Sequence, residues 1–186
     1  MKKFKISILT AIAITGTLFT GCSSDDDAPA PVNEEEVITT LAVTLTPAAG
    51  GATVTLRSRD LDGDGPDAPV ITVTGNLVAS TTYNGSVILL NETETPAENI
   101  TTEVEEEDDE HQFFFTTGGN LNVTTANFNL DGNGNILGTT FDVTTGAASA
   151  GSYTITLRHE PTKPNTGLAD AGGETDISAT FQVTVQ

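Results

Sequence analysis

The sequence predicts an all-β protein, an antiparallel Ig-like or jelly-roll-type β-sandwich of about eight or nine strands with one short helix. Three observations support this fold class. Short segments alternate apolar and polar residues with a period of two, Gly, Asn and Asp separate these segments, and Thr is abundant where Leu, Lys and Arg are scarce. β-branched residues favour strands, and closely spaced turn signals are typical of a sandwich.

The alternating segments occupy residues 37–186, which we expect to form a single β-sandwich domain. In the first segment Leu41, Val43 and Leu45 share one face, and mostly polar residues share the other. Further strands are expected at residues 52–57, 70–74, 81–90, 121–128, 136–144, 151–159 and 177–185, with a buried strand led by Phe113. Residues 131–135, Asp-Gly-Asn-Gly-Asn, are better explained as a hairpin turn than as a metal loop.

One segment breaks the strand pattern. Residues 95–98 read Thr-Pro-Ala-Glu, which is a capping box with Pro at the first helical position. We therefore predict a short helix from Pro96 to about residue 109. Its apolar stripe, Ile100 and Val104, continues at helical spacing through Glu107 to His111, so one face of the helix changes from apolar to acidic.

The N-terminus carries an export signal. Residues 1–21 have the form of a lipoprotein signal peptide, and residues 18–22, Leu-Phe-Thr-Gly-Cys, resemble a bacterial lipobox, which implies lipidation of Cys22. Ordinary secretion with a free Cys22 is the alternative. Ser and Asp residues follow directly, as in lipoproteins sent to the outer face of the outer membrane, and residues 22–36 are expected to be a disordered acidic tether. The expected location is therefore the outer membrane, with the domain lipid-anchored and exposed at the cell surface.

The charge balance excludes several partners. The chain has 26 Asp and Glu against 7 Lys and Arg, for a formal charge of −19. Nucleic acid is disfavoured because a phosphate backbone needs clustered cations, and docking on anionic lipid through a basic patch is disfavoured for the same reason. Contact with the membrane is expected through the lipid anchor alone. The single Cys excludes a disulfide framework and a Cys-rich zinc site.

The first candidate metal site is an Asp-rich loop. Asp60, Asp62 and Asp64, followed by Gly65, match the first half of a calcium-binding loop, in which alternating carboxylates converge on the ion. The twelfth position, normally a bidentate Glu, is Ile71, so a complete EF-hand is excluded. Calcium binding then requires an oxygen from Asp67 or from elsewhere, and a polar hairpin loop is the alternative.

The second candidate is the acidic run at residues 103–110, which ends at His111. Acids near a helix C-terminus face the negative end of the helix dipole, and like charges at i, i+4 repel each other. Glu103, Glu107 and His111 are predicted to lie along one side of the helix and to ligate a cation, calcium or a transition metal. A solvated helix face is the alternative. His159 is expected at the inward end of a strand, and the sequence leaves open whether it meets His111.

Several stretches resemble a group of small acidic bacterial surface lipoproteins. They are EEVITT (35–40), RDLDGDG (59–65), LLNE (89–92), EHQFFF (110–115) and LRHEP (157–161). Members of this group are labelled as uncharacterised lipoproteins, and some as type 1 periplasmic binding fold superfamily. The second label implies a two-lobed α/β fold, whereas the residues of this chain predict a β-sandwich. The resemblance implies no ligand and no site residues.

These features favour a surface-anchored, non-catalytic binding lipoprotein that captures a cation or small ligand, as an accessory to an outer-membrane transporter or another surface protein. The alternative is a structural or adhesive Ig-like module without a small-ligand site. An enzyme is not expected, because the sequence contains no nucleophile elbow, no His-Glu-x-x-His motif and no phosphate loop.

Overall fold

Two antiparallel sheets pack face to face, as the alternating pattern predicts. The computed structural model describes residues 36–63 and 65–186, and in these residues it contains nine strands and two short helices. One compact unit spans Glu35–Gln186. The predicted signal peptide, the lipidation site Cys22 and most of the predicted tether lie outside the described residues. None of the helices within them is long and apolar enough to cross a membrane.

The strands follow one another along the chain with a helix after the fourth and another after the eighth. In chain order they are β1 Thr40–Pro47, β2 Val54–Arg59, β3 Val70–Val73, β4 Thr82–Leu90, α1 Ile100–Glu106, β5 His111–Gly119, β6 Val123–Ala126, β7 Thr140–Thr145, β8 Ser149–His159, α2 Leu168–Ala171 and β9 Glu174–Val185. The six-stranded sheet has the order β3-β2-β1-β4-β7-β6, and the three-stranded sheet has the order β5-β8-β9. This all-β architecture confirms the predicted sandwich and differs from the two-lobed α/β fold that the superfamily label implies.

The core lies between the two sheets and is built by the predicted period-two faces. Leu41, Val43 and Leu45 of β1 are fully buried, opposite the inward side chains of β8, among them Ile155 and Leu157. Burying such side chains contributes about 1.5–3 kcal/mol each relative to leaving them exposed. The inward face of β8 continues past Leu157 to His159, so the core ends on a polar rung where β5 begins and β8 ends.

The helix is shorter than predicted. It runs from Ile100 to Glu106 and not from Pro96 to residue 109, with Asn99 as N-cap, whose side chain accepts a hydrogen bond from the Thr101 amide. The backbone of Glu98 instead pairs with Asn91 next to β4, which removes the expected first turn from the helix. The helix ends inside the acidic run, where carboxylates oppose the negative end of the helix dipole. The four-residue α2 was not expected.

The Asp-Gly-Asn-Gly-Asn run forms the predicted hairpin turn. Leu130 and Ile136 pair as an antiparallel bridge on either side of it. Asp131 Oδ1 accepts hydrogen bonds from the amides of Asn133 and Asn135, and its Oδ2 binds Lys163 Nζ at 3.0 Å. The carboxylate of Asp131 is therefore used to close the turn. The flanking strands are shorter than predicted, because this hairpin and its braces take residues that the alternation assigned to β6 and β7.

A surface ion pair predicts how the fold responds to acid. Glu92 lies 2.6 Å from Arg57 Nη2 and 2.8 Å from Arg59 Nη2, and it accepts a hydrogen bond from Thr40 Oγ1. The contacts with Arg59 first, and then with Thr40 and Arg57, lower the pKa of Glu92 from 4.5 to about 2. A lowered pKa stabilises the fold above the unfolded-state value, and this contribution is lost as pH falls from about 4.5 towards 2.

We therefore expect Glu92→Gln to lower the free energy of unfolding at pH 7 and to have little effect at pH 2. Urea unfolding at both pH values measures the difference. Glu94→Gln, which removes an exposed neighbouring charge, serves as control and should change neither value. The prediction would be contradicted if Glu92→Gln lowered the free energy of unfolding by the same amount at both pH values.

Candidate metal centre

Two histidines form the polar rung at the end of the core. His111 is the first residue of β5, His159 is the last residue of β8, and the two are direct partners in the strand register. Their rings stack with centroids 4.5 Å apart and planes 26° apart. His111 is 0% exposed and His159 is 4% exposed. Strand alternation places both on the inward face, one rung beyond the pair Phe113 and Leu157.

A β-bulge brings Asp176 to the same rung. Leu157 pairs with Ile177 and Arg158 pairs with Thr175, so Asp176 of β9 has no register partner. Simple alternation from Ile177 would direct Asp176 away from the core. The extra residue of a bulge re-aims the side chain locally. The side chain of Asp176 is only 7% exposed, and its two oxygens face the two histidines, at 4.0 Å from His111 Nε2 and 3.9 Å from His159 Nδ1.

Glu36 approaches from the segment that leads into β1. This segment is held beside the end of β4, because the Thr39 amide donates to the Leu90 carbonyl at 2.9 Å. Glu36 Oε1 lies 3.2 Å from His111 Nε2, and the side chain of Glu36 is 8% exposed. The sequence interpretation placed residue 36 in the disordered tether, and the structure corrects it. Glu36 belongs to the folded unit and completes the cluster.

The four side chains form one compact set of donors, named here the inner cluster: Glu36, His111, His159 and Asp176. One ligand atom from each lies within 4.8 Å of every other. A tetrahedral zinc site with bonds of about 2.0–2.2 Å places its donors about 3.3–3.6 Å apart. Small side-chain rotations therefore suffice to bring the donors to coordination distance.

The ring of His111 is oriented by the acidic run. Its Nδ1 lies 3.1 Å from the backbone carbonyl oxygen of Glu107. A carbonyl can only accept a hydrogen bond, so Nδ1 carries the proton and donates it. In the neutral ring the lone pair is then on Nε2, which faces Glu36 and Asp176. A backbone carbonyl that fixes the tautomer of a ligating histidine is the usual outer-shell arrangement of metal sites.

Several buried polar atoms of the inner cluster have no hydrogen-bond partner. Of the buried side-chain nitrogens and oxygens in residues 36–63 and 65–186, five lack a hydrogen bond. Three of the five, Glu36 Oε2, His111 Nε2 and Asp176 Oδ2, belong to the inner cluster, and a fourth is His159 Nε2, which faces Glu110. Leaving such a group buried and unpaired costs about 1–3 kcal/mol. Carboxylate oxygens and imidazole nitrogens whose lone pairs face one another need a proton or a cation between them.

The pKa directions agree with this crowding of like charges. Burial, and then repulsion by Glu36, raises the pKa of Asp176 from 3.8 to about 6. The contact with His111 lowers the pKa of Glu36 despite the opposing effect of burial. Burial by itself would lower the pKa of His111, but its contacts with the Glu36 carboxylate and the Glu107 carbonyl outweigh it and raise that pKa. Without a metal, the inner cluster favours bound protons.

Of the predicted ligands, only His111 belongs to the inner cluster. The predicted helix face of Glu103, Glu107 and His111 does not form, because α1 ends at Glu106 and His111 begins β5. Glu107 contributes its backbone carbonyl. Burial, and then the carboxylates of Glu98 and Glu36, which lie outside the acidic run, raise the pKa of Glu103.

The Asp-rich loop stays a separate prediction. The amide of Asp62 donates to Asp60 Oδ1 at 3.3 Å, and the amide of Asp67 donates to Asp62 Oδ2 at 3.2 Å. The carboxylate of Asp62 is exposed, Asp60 is half-buried, and both brace the loop on itself. Asp64, the remaining predicted ligand of this loop, lies outside the described residues.

Glu36 and Asp176 were not among the predicted site residues, and the contact of His159 with His111 was left open. For His159 the sequence did contain a signal. The alternation of its strand directs the last residue, His159, to the same side as the core residues. The position of Asp176 could not be predicted from alternation, because the bulge turns this one residue to the opposite side of the strand. The role of Glu36 could not be predicted, because the acidic composition of the surrounding segment indicates a tether.

Solvent reaches the carboxylate side of the inner cluster. A pocket of about 100 Å³ is lined by Glu36, Glu174, Thr175 and Asp176. The arrangement thus offers two imidazole nitrogens and two carboxylate oxygens beside a small opening. No family model, no curated protein and no solved structure matches the chain.

Proposed function

We propose that the protein is a surface-anchored, non-catalytic lipoprotein that captures a divalent transition-metal ion, with Zn²⁺ as the reference ion, in the inner cluster. The observation that carries this proposal is the convergence of two buried imidazoles and two largely buried carboxylates within 4.8 Å of one another. Three of their atoms, Glu36 Oε2, His111 Nε2 and Asp176 Oδ2, are buried without a hydrogen-bond partner in the described part of the chain. A bound dication would satisfy them and relieve the repulsion between Glu36 and Asp176.

The donor set favours zinc-like ions over calcium. Imidazole nitrogen suits Zn²⁺ and its first-row neighbours, and carboxylate oxygen completes such sites. Calcium takes about six to eight oxygen ligands, and half of the donors here are nitrogens. The inner cluster therefore supports a transition metal, whereas calcium would be a property of the Asp-rich loop.

The number of donors favours holding the ion over using it in catalysis. Catalytic zinc sites keep a coordination position open for water or substrate, while closed sites use four protein ligands. The inner cluster supplies four, and its His111 is oriented as metal-ligating histidines generally are.

The charge and the N-terminal signal support capture at the cell surface. A formal charge of −19 raises the local concentration of cations around the domain. The lipobox-like segment that ends at Cys22 would direct the chain to the outer membrane. An outer-membrane transporter or another surface protein is the partner class to which such a domain would deliver its ion.

Isothermal titration tests the proposal on the chain from residue 22 onward, with Cys22→Ser to prevent lipidation and thiol binding. We expect one Zn²⁺ per chain and no competition by Ca²⁺. The chain contains only two His residues, so the double variant His111→Ala/His159→Ala removes every imidazole. It should lose the high-affinity binding, while the exposed-acid control Glu106→Gln keeps it. Absence of Zn²⁺ binding at millimolar concentration would contradict the proposal and favour the structural or adhesive module.

A further inference from the structure

The ring of His159 faces two different sets of carboxylates. Its Nδ1 lies 3.9 Å from Asp176 Oδ1 in the inner cluster. Its Nε2 points the other way and lies 3.6 Å from Glu110 Oε2. Glu110, His159 and Glu160 form a second group whose ligand atoms lie within 4.8 Å of one another, and we name this group the outer cluster.

The two acids of the outer cluster are open to solvent, whereas its imidazole nitrogen is buried. The side chain of Glu110 is 53% exposed, and Glu160 is also exposed. His159 Nε2 is buried and has no hydrogen-bond partner. Two solvated acids alone would be an ordinary surface feature. A buried, unpartnered imidazole nitrogen aimed at them is the additional observation that indicates a ligand.

The backbone fixes the two acids relative to the ring. The Glu160 amide donates a 2.7 Å hydrogen bond to the Glu110 carbonyl, directly beyond the paired residues His111 and His159. Both acids are thus chain neighbours of the paired histidines. The outer cluster is therefore held at a defined position beside the ring and does not depend on a long flexible loop.

We propose that His159 serves two cation sites in turn: the outer cluster receives the ion from solvent through Nε2, and the ion then passes to the inner cluster through Nδ1. This inference rests on the proposed function of the inner cluster. It adds an entry site and a direction of transfer to that function.

Imidazole chemistry makes the two positions exclusive. A neutral ring has one N–H and one lone pair, so it ligates through one nitrogen at a time. With the ion in the outer cluster, Nδ1 carries the proton and faces Asp176. With the ion in the inner cluster, Nε2 carries the proton and faces Glu110. During transfer Nδ1 gives up one proton and Nε2 gains one, so the proton count of the ring does not change.

The direction of transfer follows from the donor sets. The outer cluster offers three donors at the surface, where water competes for the ion. The inner cluster offers four donors, two of them buried imidazoles and two of them largely buried carboxylates. The ion is therefore held more tightly inside, and one ion per chain is expected at saturation of the two sites.

Nitrogen-15 NMR of the imidazoles, with Zn²⁺ alone as probe, tests the inference. Only two rings contribute, so each signal is assignable with one variant. In the wild-type chain from residue 22 with Cys22→Ser, we expect Zn²⁺ on His111 Nε2 and His159 Nδ1. In Glu36→Gln/Asp176→Asn, which weakens the inner cluster with side chains of equal size, we expect Zn²⁺ on His159 Nε2. Adding Glu110→Gln and Glu160→Gln to that variant should remove this binding.

The outcomes separate the inference from the proposed function. If the wild type binds no Zn²⁺, both fail. If the wild type binds through His159 Nδ1 but Glu36→Gln/Asp176→Asn never shows ligation through Nε2, the entry site is wrong and the inner cluster stands.

Association kinetics provide a second readout that depends only on folded protein. Glu110→Gln/Glu160→Gln should slow Zn²⁺ association about tenfold, because the charges that attract the ion are removed. Glu106→Gln, a loss of one exposed acid that belongs to neither cluster, should leave the rate within about twofold. Equal rates for the wild type and the double variant would indicate entry through the pocket beside Asp176 and would overturn the inference.

Discussion

Asp176→Asn is expected to stabilise the metal-free protein and to abolish tight Zn²⁺ binding at the same time. The pKa of Asp176 is raised to about 6, by burial first and then by Glu36. A raised carboxyl pKa means that ionisation destabilises the fold. This penalty is absent below the unfolded-state pKa, grows as pH rises through 6, and is complete at higher pH.

The size of the effect follows from the pKa shift. A shift of about two units corresponds to at most about 3 kcal/mol, and the lost attraction to the histidines reduces the gain. We therefore expect Asp176→Asn to raise the free energy of unfolding of the metal-free protein by about 1–2 kcal/mol at pH 8. At pH 4 the difference should largely vanish. Removing a ligand from the inner cluster should meanwhile weaken Zn²⁺ binding at least about tenfold.

Urea unfolding with a chelator present, and calorimetric titration with Zn²⁺, measure the two effects on the same samples. The control is Asp142→Asn, a carboxylate on β7 remote from the inner cluster, which should leave Zn²⁺ affinity unchanged. A destabilised Asp176→Asn protein that still binds Zn²⁺ with wild-type affinity would show that Asp176 has only a structural role.

Zn²⁺ should stabilise the fold at neutral pH and lose this effect in acid. An ion present at 100 times its dissociation constant adds about 2.7 kcal/mol to the free energy of unfolding. Binding requires neutral His111 and ionised Asp176. Contacts with Glu36 and the Glu107 carbonyl raise the pKa of His111 against the effect of burial, and the pKa of Asp176 is about 6. Protons therefore compete for the inner cluster below neutral pH.

Thermal unfolding with Zn²⁺ and with chelator, at pH 7.5 and pH 5, measures this dependence. We expect a clear rise in melting temperature with Zn²⁺ at pH 7.5 and a negligible one at pH 5. In the metal-free protein, the contribution of His111 to stability should have the opposite pH dependence. A raised histidine pKa stabilises the fold at low pH, and this contribution is lost as pH rises. In His111→Ala/His159→Ala the Zn²⁺ effect should be absent at both pH values. An equal Zn²⁺ effect at pH 7.5 and pH 5 would place the ion on groups other than these.

The fold was predictable because most strands carry their own period-two signal. Leu41, Val43 and Leu45 identify an inward face without any knowledge of the partner strands. The helix was predicted at the right place but too long. Pairing of Glu98 with Asn91, which is a tertiary contact, decided where α1 begins.

The inner cluster was only partly predictable, because its members come from four distant parts of the chain. His111 was identified from its position at the end of the acidic run, although on a helix that does not extend so far. Its pairing with His159 depends on strand order, which a single sequence does not reveal. Asp176 depends on a bulge, and Glu36 depends on a chain path that composition alone assigns to a flexible segment.

The direct pairing of His111 with His159 also bears on how the three-stranded sheet assembles. Sliding β5 by a single residue against β8 would exchange the faces of its side chains and put Gln112 where the first imidazole stands. Only the native alignment makes the two rings direct partners on the same side. Uptake of the ion would therefore distinguish correctly assembled molecules from misaligned ones, and Zn²⁺ would act as a check on strand register during folding.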